Sequence, residues 1–248
     1  MNLKEYCEYI ETWLIEQLEN TKMDGYILGI SGGLDSAMLA GLAQKAVGNK
    51  LFGVVLPCES NPIDEEYAVA LLGKLGIEYT VVDLTQTYNI MKSNLEKKAN
   101  EKGFELDSLS CSNLKVRLRM CTLYAFGQAR RSLVLGTDNL DEYYTGYFTK
   151  YGDGGVDLLP IVHLTKGEVK EAAKLYGVTQ EIIDRKPSAG LFEGQTDENE
   201  MGVTYDELDS FLLGGKIDED KERRILHLHK VSEHKRNPIP RPNNFERE

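Results

Sequence analysis

The residues of this chain best suited to chemistry stand together in one run, Gly29-Ile30-Ser31-Gly32-Gly33-Leu34-Asp35-Ser36. Glycines there let the backbone approach a ligand closely, the two serines add hydroxyls, and the apolar AMLAGLAQKAVG that follows reads as a helix. A helix opening at this point presents unpaired N–H groups and partial positive charge, which suit an anion such as phosphate. The run is neither the lysine-bearing GxxxxGK[ST] loop nor GxGxxG. An acid, Asp35, stands where a lysine would, and a carboxylate beside a polyphosphate makes sense only across a hard divalent cation, usually Mg2+. The plainer reading of Asp35 is a helix cap beside an ordinary glycine turn.

The elements that must position this loop follow from periodicity. YILGI at residues 26–30 enters it as a short strand, and LFGVVLP (51–57), EYTVVDL (78–84) and SLVLG (132–136) are further strands separated by helical patterns. That alternation predicts an α/β fold, a doubly wound parallel sheet with helices on both faces. Leu3, Tyr6, Cys7, Ile10, Trp13, Leu14 and Leu18 recur at helical spacing and open the chain with an amphipathic helix. Residues 113–130 predict a long helix entering the last strand, and residues 218–235 a charged one stopped by the prolines of RNPIPRPNNFERE. Two stretches, 146–160 and 186–202, are glycine-punctuated and aperiodic; the second has the composition of a lid. No repeat or linker divides the chain, so residues 1–248 are expected to form a single domain.

Composition narrows the partners. With 29 basic against 40 acidic residues and a formal charge of -11, the chain lacks the basic field that nucleic acid requires, whereas a small nucleotide needs only a few local donors. Cys7, Cys58, Cys111 and Cys121 show no zinc-ligand spacing and read as reduced thiols. The N-terminal MNLKEYCEYIETW has neither a signal peptide's apolar stretch nor a membrane span, so the expected location is the cytoplasm.

Taken whole, SGGxDS between a strand and a helix resembles the pyrophosphate loop of the N-type ATP pyrophosphatases, which cleave ATP between its α and β phosphates and adenylate a substrate. The implied fold is of the adenine-nucleotide α-hydrolase kind. A second block narrows the family: Gly136-Thr137-Asp138-Asn139, Asp141-Glu142, GYFTKYGDGG from Gly146, Asp157, PSAGL, QTDE and MGVTYDELD. Together these resemble NAD synthetases over nearly the whole chain. The glutamine-using members carry a large extra glutaminase domain that 248 residues cannot hold, so ammonia is the implied nitrogen donor.

The resemblance implies an ATP site at Gly29 to Ser36, Thr137, Lys166 and Ser188, the last more often a threonine in the family. It implies Mg2+ on Asp35 and Glu142, and deamido-NAD on Arg117, Lys150, Asp157, His234 and Lys235. Arg119 rivals Arg117: two apart on a helix, they face different sides, and one of them is expected to bind nucleotide. By themselves Lys166 reads as a surface lysine and His234-Lys235 as a disordered end, while Glu142 reads equally as a helix-start acid or, from its place beside a strand end near the loop, as a metal ligand. Asp153, in the GDGG turn, is the resemblance's candidate for holding ammonium and taking a proton; its plainer role is to stabilise the turn. The implied reaction is attack of the deamido-NAD carboxylate on the α-phosphorus of ATP, then displacement of AMP by ammonia, in a homodimer with neither nucleic acid nor membrane as partner. Related tRNA-modifying enzymes, GMP synthetase and an ATP-binding sensor are the alternatives; the acidic balance and the GYFTKYGDGG block oppose the first two, and the presence of Glu142, Lys166 and the second-substrate residues opposes the sensor.

Overall fold

The computed structural model describes residues 1–185 and 196–245. Its four strands, β1 (Gly25–Gly29), β2 (Leu51–Val55), β3 (Glu78–Val81) and β4 (Ser132–Leu135), lie parallel in the order β3-β2-β1-β4. The helices are α1 (Leu3–Thr21), α2 (Leu34–Val47), α3 (Pro62–Leu75), α4 (Thr85–Glu101), α5 (Ser108–Ala129), α6 (Leu140–Thr145), α7 (Lys166–Leu175), α8 (Gln180–Ile183), α9 (Asp197–Met201), α10 (Tyr205–Leu212), α11 (Glu219–Val231) and α12 (Glu233–Arg236). None of the helices in the described residues is long and apolar enough to cross a membrane.

Period-two alternation splits the strands between two cores. Tyr26, Leu28 and Ile30 pack with α1, α2 and α7 on one face, while Ile27, Phe52 and Val54 pack with Tyr88 of α4 and Met120 and Leu123 of α5 on the other. Helix α2 is buried continuously from Ser36 to Ala43, which its small residues permit. A Cβ on Gly41 would stand 2.6 Å from the Tyr176 carbonyl oxygen, so glycine sets how closely α2 approaches the end of α7. A third cluster, Met201, Val203, Tyr205, Leu208 and Ile225, is roofed by Tyr144, Tyr147 and Phe211 and carries the C-terminal helices.

Three boundaries differ from the sequence-based expectation. Strand β3 ends at Val81, because the Asp83 side chain accepts the Thr85 N–H (2.8 Å) and turns the chain into α4. Helix α5 begins at Ser108, five residues early, capped by Asp107 on the Ser110 N–H (2.7 Å). The C-terminal helix is two helices, α11 and α12, with a break at Ser232, whose hydroxyl donates back to the Leu228 carbonyl (2.6 Å).

The chain runs outward from β1 through β2 to β3, then crosses to the other side of β1 for β4. Ligands of open α/β sheets bind where the strand order reverses, beyond the carboxyl ends of the strands. Here that point lies between β1 and β4, whose register pairs Leu28 with Leu135 and therefore brings the SGGLDS and GTDN segments out side by side.

Candidate active site

A cavity of about 620 Å³ opens at this reversal point, walled by Gly29–Ser31, Gly33–Ser36, Thr137, Asp138, Glu142, Asp153, Lys166 and Lys235, among others. Helix α2 enters it without a side-chain cap, since its N-cap is Gly33, so the first-turn N–H groups face an incoming anion. The loop's hydroxyls are arranged around one another: Ser36 Oγ donates to the Gly33 carbonyl (3.1 Å) and accepts from the Ser31 N–H (3.2 Å). Gly32 has φ +78, and a Cβ there would stand 2.3 Å from the Asp64 carbonyl oxygen, so only glycine fits. Arg185, which also lines the cavity, holds the loop by donating to the Gly32 carbonyl (3.4 Å) and pairing with the Asp64 carboxylate.

Opposite the loop, three elements bring charged groups onto one point. Lys166 Nζ lies 2.5 Å from Asp35 Oδ2 and 3.3 Å from Glu142 Oε1. Asn139 caps α6, accepting the Glu142 N–H (3.0 Å), and its Nδ2 donates to Asp35 Oδ1 (2.9 Å), so one amide joins the helix cap to the phosphate loop. The Tyr205 hydroxyl stands 3.2 Å from Glu142 Oε1 and 3.0 Å from Asp197 Oδ2. Burial opposes the Lys166 ammonium, but the carboxylates of Asp35 and Glu142 outweigh it and hold its pKa above the ordinary lysine value. Burial raises the Glu142 carboxyl to about 7, with Asp35 adding to the rise and Lys166 working against it.

Lys166 is therefore the opposite of a surface lysine: it is 7% exposed, at the first position of α7. A cation at a helix N-terminus is disfavoured by the dipole, and acids compensate around it. Asp141 Oδ2 accepts the Lys166 N–H (2.8 Å), and Asp209 Oδ2 accepts the Gly167 N–H (2.9 Å) and lies 3.1 Å from Thr165 Oγ1.

Of the other sequence-based candidates, Thr137, Asp153 and Lys235 line the same cavity. Lys235 is no disordered end: it is half-buried and donates to the carbonyls of Gly146 (2.7 Å) and Phe148 (2.5 Å). Asp153 Oδ1 accepts the Thr149 N–H (2.6 Å), as a turn-stabilising Asp would. Burial raises its carboxyl and the backbone N–H groups of Thr149, Asp153 and Gly154 oppose that rise. Arg119, not Arg117, reaches the cavity wall, donating to the Leu56 carbonyl (3.0 Å) and to Ser60 Oγ (3.0 Å). Arg117 is exposed and donates to the Lys150 carbonyl (3.2 Å), Lys150 Nζ donates to the His234 carbonyl (2.6 Å), and Asp157 accepts the Val134 N–H (2.8 Å). Arg117, Lys150 and His234 are thus linked in a ridge outside the main cavity, where His234 borders a smaller one of about 210 Å³, whereas the partners of Asp157 are Val134 and the Tyr124 hydroxyl (3.1 Å). Ser188, PSAGL and most of the 186–202 lid candidate lie outside the described residues.

Sequence reading passed over Asn139, Tyr205, Asp197, Asp141 and Asp138 as working residues. Asn139 had a local signal, the Asn-x-x-Glu spacing of a capping box with Glu142. The remainder stand inside the motifs that carry the resemblance, but nothing local assigns them a role, because the groups around them are distant in sequence.

No group of three or more His, Cys, Asp or Glu among the described residues is placed to hold a metal unaided. Two carboxylates converging on one ammonium do, however, match Mg2+, which takes one or two carboxylates together with substrate phosphates and water.

Comparison with known proteins agrees with this geometry. The NAD synthase family model matches residues 6–239. The chain is 46% identical to the NH(3)-dependent NAD(+) synthetase of Mesoplasma florum over the full length of both, and 45% identical to that of Finegoldia magna over 95% of each. Among solved structures, an NMN synthetase from Francisella tularensis has a TM-score of 0.92 at 38% identity, covering 98% of this chain and 100% of that one. An NH3-dependent NAD synthetase from Campylobacter jejuni has a TM-score of 0.79 at 25% identity, covering 98% and 100%. The uncapped phosphate loop, the strand-order reversal and this full-length likeness lead to one statement: the chain belongs to the NAD synthase family and is a ligase.

Proposed function

We propose that this protein converts deamido-NAD to NAD, using ATP to adenylate the nicotinate carboxylate and ammonia to displace AMP. The observation that carries the reading is the convergence of Asp35, Glu142 and Lys166 on one point beside the uncapped start of α2. A carboxylate is a poor electrophile toward ammonia, and adenylation supplies the leaving group. In the first step the carboxylate oxygen attacks the α-phosphorus and the bond to pyrophosphate breaks. The N–H groups and hydroxyls of the Ser31–Ser36 loop receive the departing pyrophosphate, and Lys166 offsets charge on the reacting phosphates. Asp35 and Glu142 would hold Mg2+, which when bound neutralises phosphate charge. In the second step ammonia forms the C–N bond, the acyl C–O bond breaks, AMP leaves, and the nitrogen gives up one proton, for which Asp153 in the cavity wall is the candidate acceptor.

The second substrate would lie against Lys235, Asp157 and the ridge of Arg117, Lys150 and His234. That ridge is open to solvent, which suits a site completed by a second copy of the chain in a homodimer. We also propose a cytoplasmic location, in keeping with the use of ATP. The likeness to an NMN synthetase favours a second reading, in which the acceptor is the mononucleotide bearing the same carboxylate. One experiment separates the two: purified protein with ATP, Mg2+ and ammonium chloride is supplied with deamido-NAD or nicotinate mononucleotide, and the amide, AMP and pyrophosphate are quantified beside an Asp35→Asn control. Equimolar NAD, AMP and pyrophosphate, abolished in the control, support the proposal. Amide from the mononucleotide alone replaces it with the second reading, and no amide from either removes both.

A further inference from the structure

Within the phosphate loop, the peptide between Gly32 and Gly33 is the one with glycine on both sides, so no Cβ opposes its rotation. Its orientation decides what the loop offers. The carbonyl and N–H of a trans peptide point to opposite sides. One orientation therefore aims the Gly33 N–H at an incoming phosphate, and the flipped one aims the Gly32 carbonyl, which repels it. In this structure the Gly33 N–H turns into the loop and donates to Ser31 Oγ (3.2 Å), which stands 3.1 Å from Ser36 Oγ. The Gly32 carbonyl faces the other way and accepts from Arg185 Nη1 (3.4 Å).

Arg185, which has no part in the scheme above, is itself held on two further sides. Its Nη2 pairs with the Asp64 carboxylate, and its guanidinium carbon stands 5.6 Å from the ring centre of Tyr67, three residues further along α3. Asp64 is also the residue against which the loop is packed, since its carbonyl oxygen would lie 2.3 Å from a Cβ on Gly32. Resting on the amidation reading for the identity of the leaving group, we propose that Arg185, braced by Asp64, is a positioning residue for pyrophosphate. Its forked guanidinium locks the Gly32–Gly33 peptide with the N–H toward the phosphate, acting through the loop without touching the anion.

The test compares the full-length wild-type protein with Arg185→Met, Arg185→Lys and Asp64→Asn. Isothermal titration calorimetry gives the Kd of inorganic pyrophosphate with Mg2+, and ATP–pyrophosphate exchange gives the KM for deamido-NAD. Arg185→Met is expected to weaken pyrophosphate binding about 10-fold, the loss of roughly one hydrogen bond to a charged group, with the KM for deamido-NAD unchanged. Arg185→Lys, which keeps the cation and loses the fork, should lie between. Asp64→Asn discriminates by sign: it weakens pyrophosphate binding if Arg185 positions the loop, whereas releasing an arginine that touches the anion would tighten it. Unchanged affinity in Arg185→Met, unchanged or tighter affinity in Asp64→Asn, or an equal loss for deamido-NAD overturns the assignment. Should Arg185→Met not fold, wild-type affinity in Arg185→Lys overturns it as well. A wild-type protein that binds pyrophosphate but supports no exchange removes the amidation reading, while the binding constants still decide the role of Arg185.

Discussion

The inner wall of the cavity and the outer ridge are built by opposite means. On the inner wall Asp35, Asn139, Glu142, Lys166, Asp141 and Tyr205 bind one another, so each side chain is oriented by the next. Along the ridge Arg117 and Lys150, and at its edge the cavity-lining Lys235, donate instead to main-chain carbonyls. A hydrogen bond from a charged donor to a neutral carbonyl has a net worth of about 1.5–3 kcal/mol, and a substrate phosphate, an anionic acceptor, can replace it with a stronger one. Breaking one member out of the inner network leaves buried charges unpaired, which is far more costly. The phosphate side is thus assembled before ATP arrives, whereas the second-substrate side waits for its ligand.

Removing the centre of the inner wall should have the largest effect. Lys166→Met is expected to lower kcat for NAD formation by about 10²–10³-fold, the usual loss for one preorganised charge-stabilising group. A variant with near wild-type kcat would show that the wall is structural only. On the ridge, Lys150→Ala should raise the KM for deamido-NAD by about 10-fold, equivalent to ~1.4 kcal/mol, while the KM for ATP in pyrophosphate exchange stays the same. Equal changes in both constants would erase the distinction between the regions.

The smallest effect concerns stability and the acid behind Lys166. Burial, followed by the charge of Asp209, raises the Asp141 carboxyl from 3.8 to about 8. Between those values the native state keeps a proton that the unfolded chain has released, so stability declines as pH rises through that interval and levels off above it. Asp141→Asn keeps an acceptor for the Lys166 N–H and removes the titration. Its melting temperature should therefore vary less with pH across the interval than that of the wild type, a comparison that differential scanning calorimetry can make. Parallel pH profiles for the two proteins would mean that Asp141 is ionised throughout.

Legibility differed between the regions for a physical reason. The phosphate loop was readable because every requirement is local: a strand, a glycine with positive φ, and a helix start lie within eleven consecutive residues, Tyr26 to Ser36. The ridge was harder. Arg117 and Arg119 are indistinguishable by pattern, since the periodicity of α5 says that they face apart and not which of them faces the cavity. Lys235 read as tail because nothing near it in sequence reveals that the carbonyls of Gly146 and Phe148 are its partners.

By itself the sequence determined the alternation of strands and helices, the anion-binding turn at residues 29–36 and, through its motifs, the family. These depend on backbone conformation and side-chain period, which are properties of neighbours along the chain. Only the tertiary structure decided that Lys166 would be buried between Asp35 and Glu142 and that Asn139 would tie a helix cap to the phosphate loop. Each of these depends on groups separated by up to 131 residues meeting where the strand order reverses, and burial there lowers the dielectric so that charge pairing governs which side chains are held.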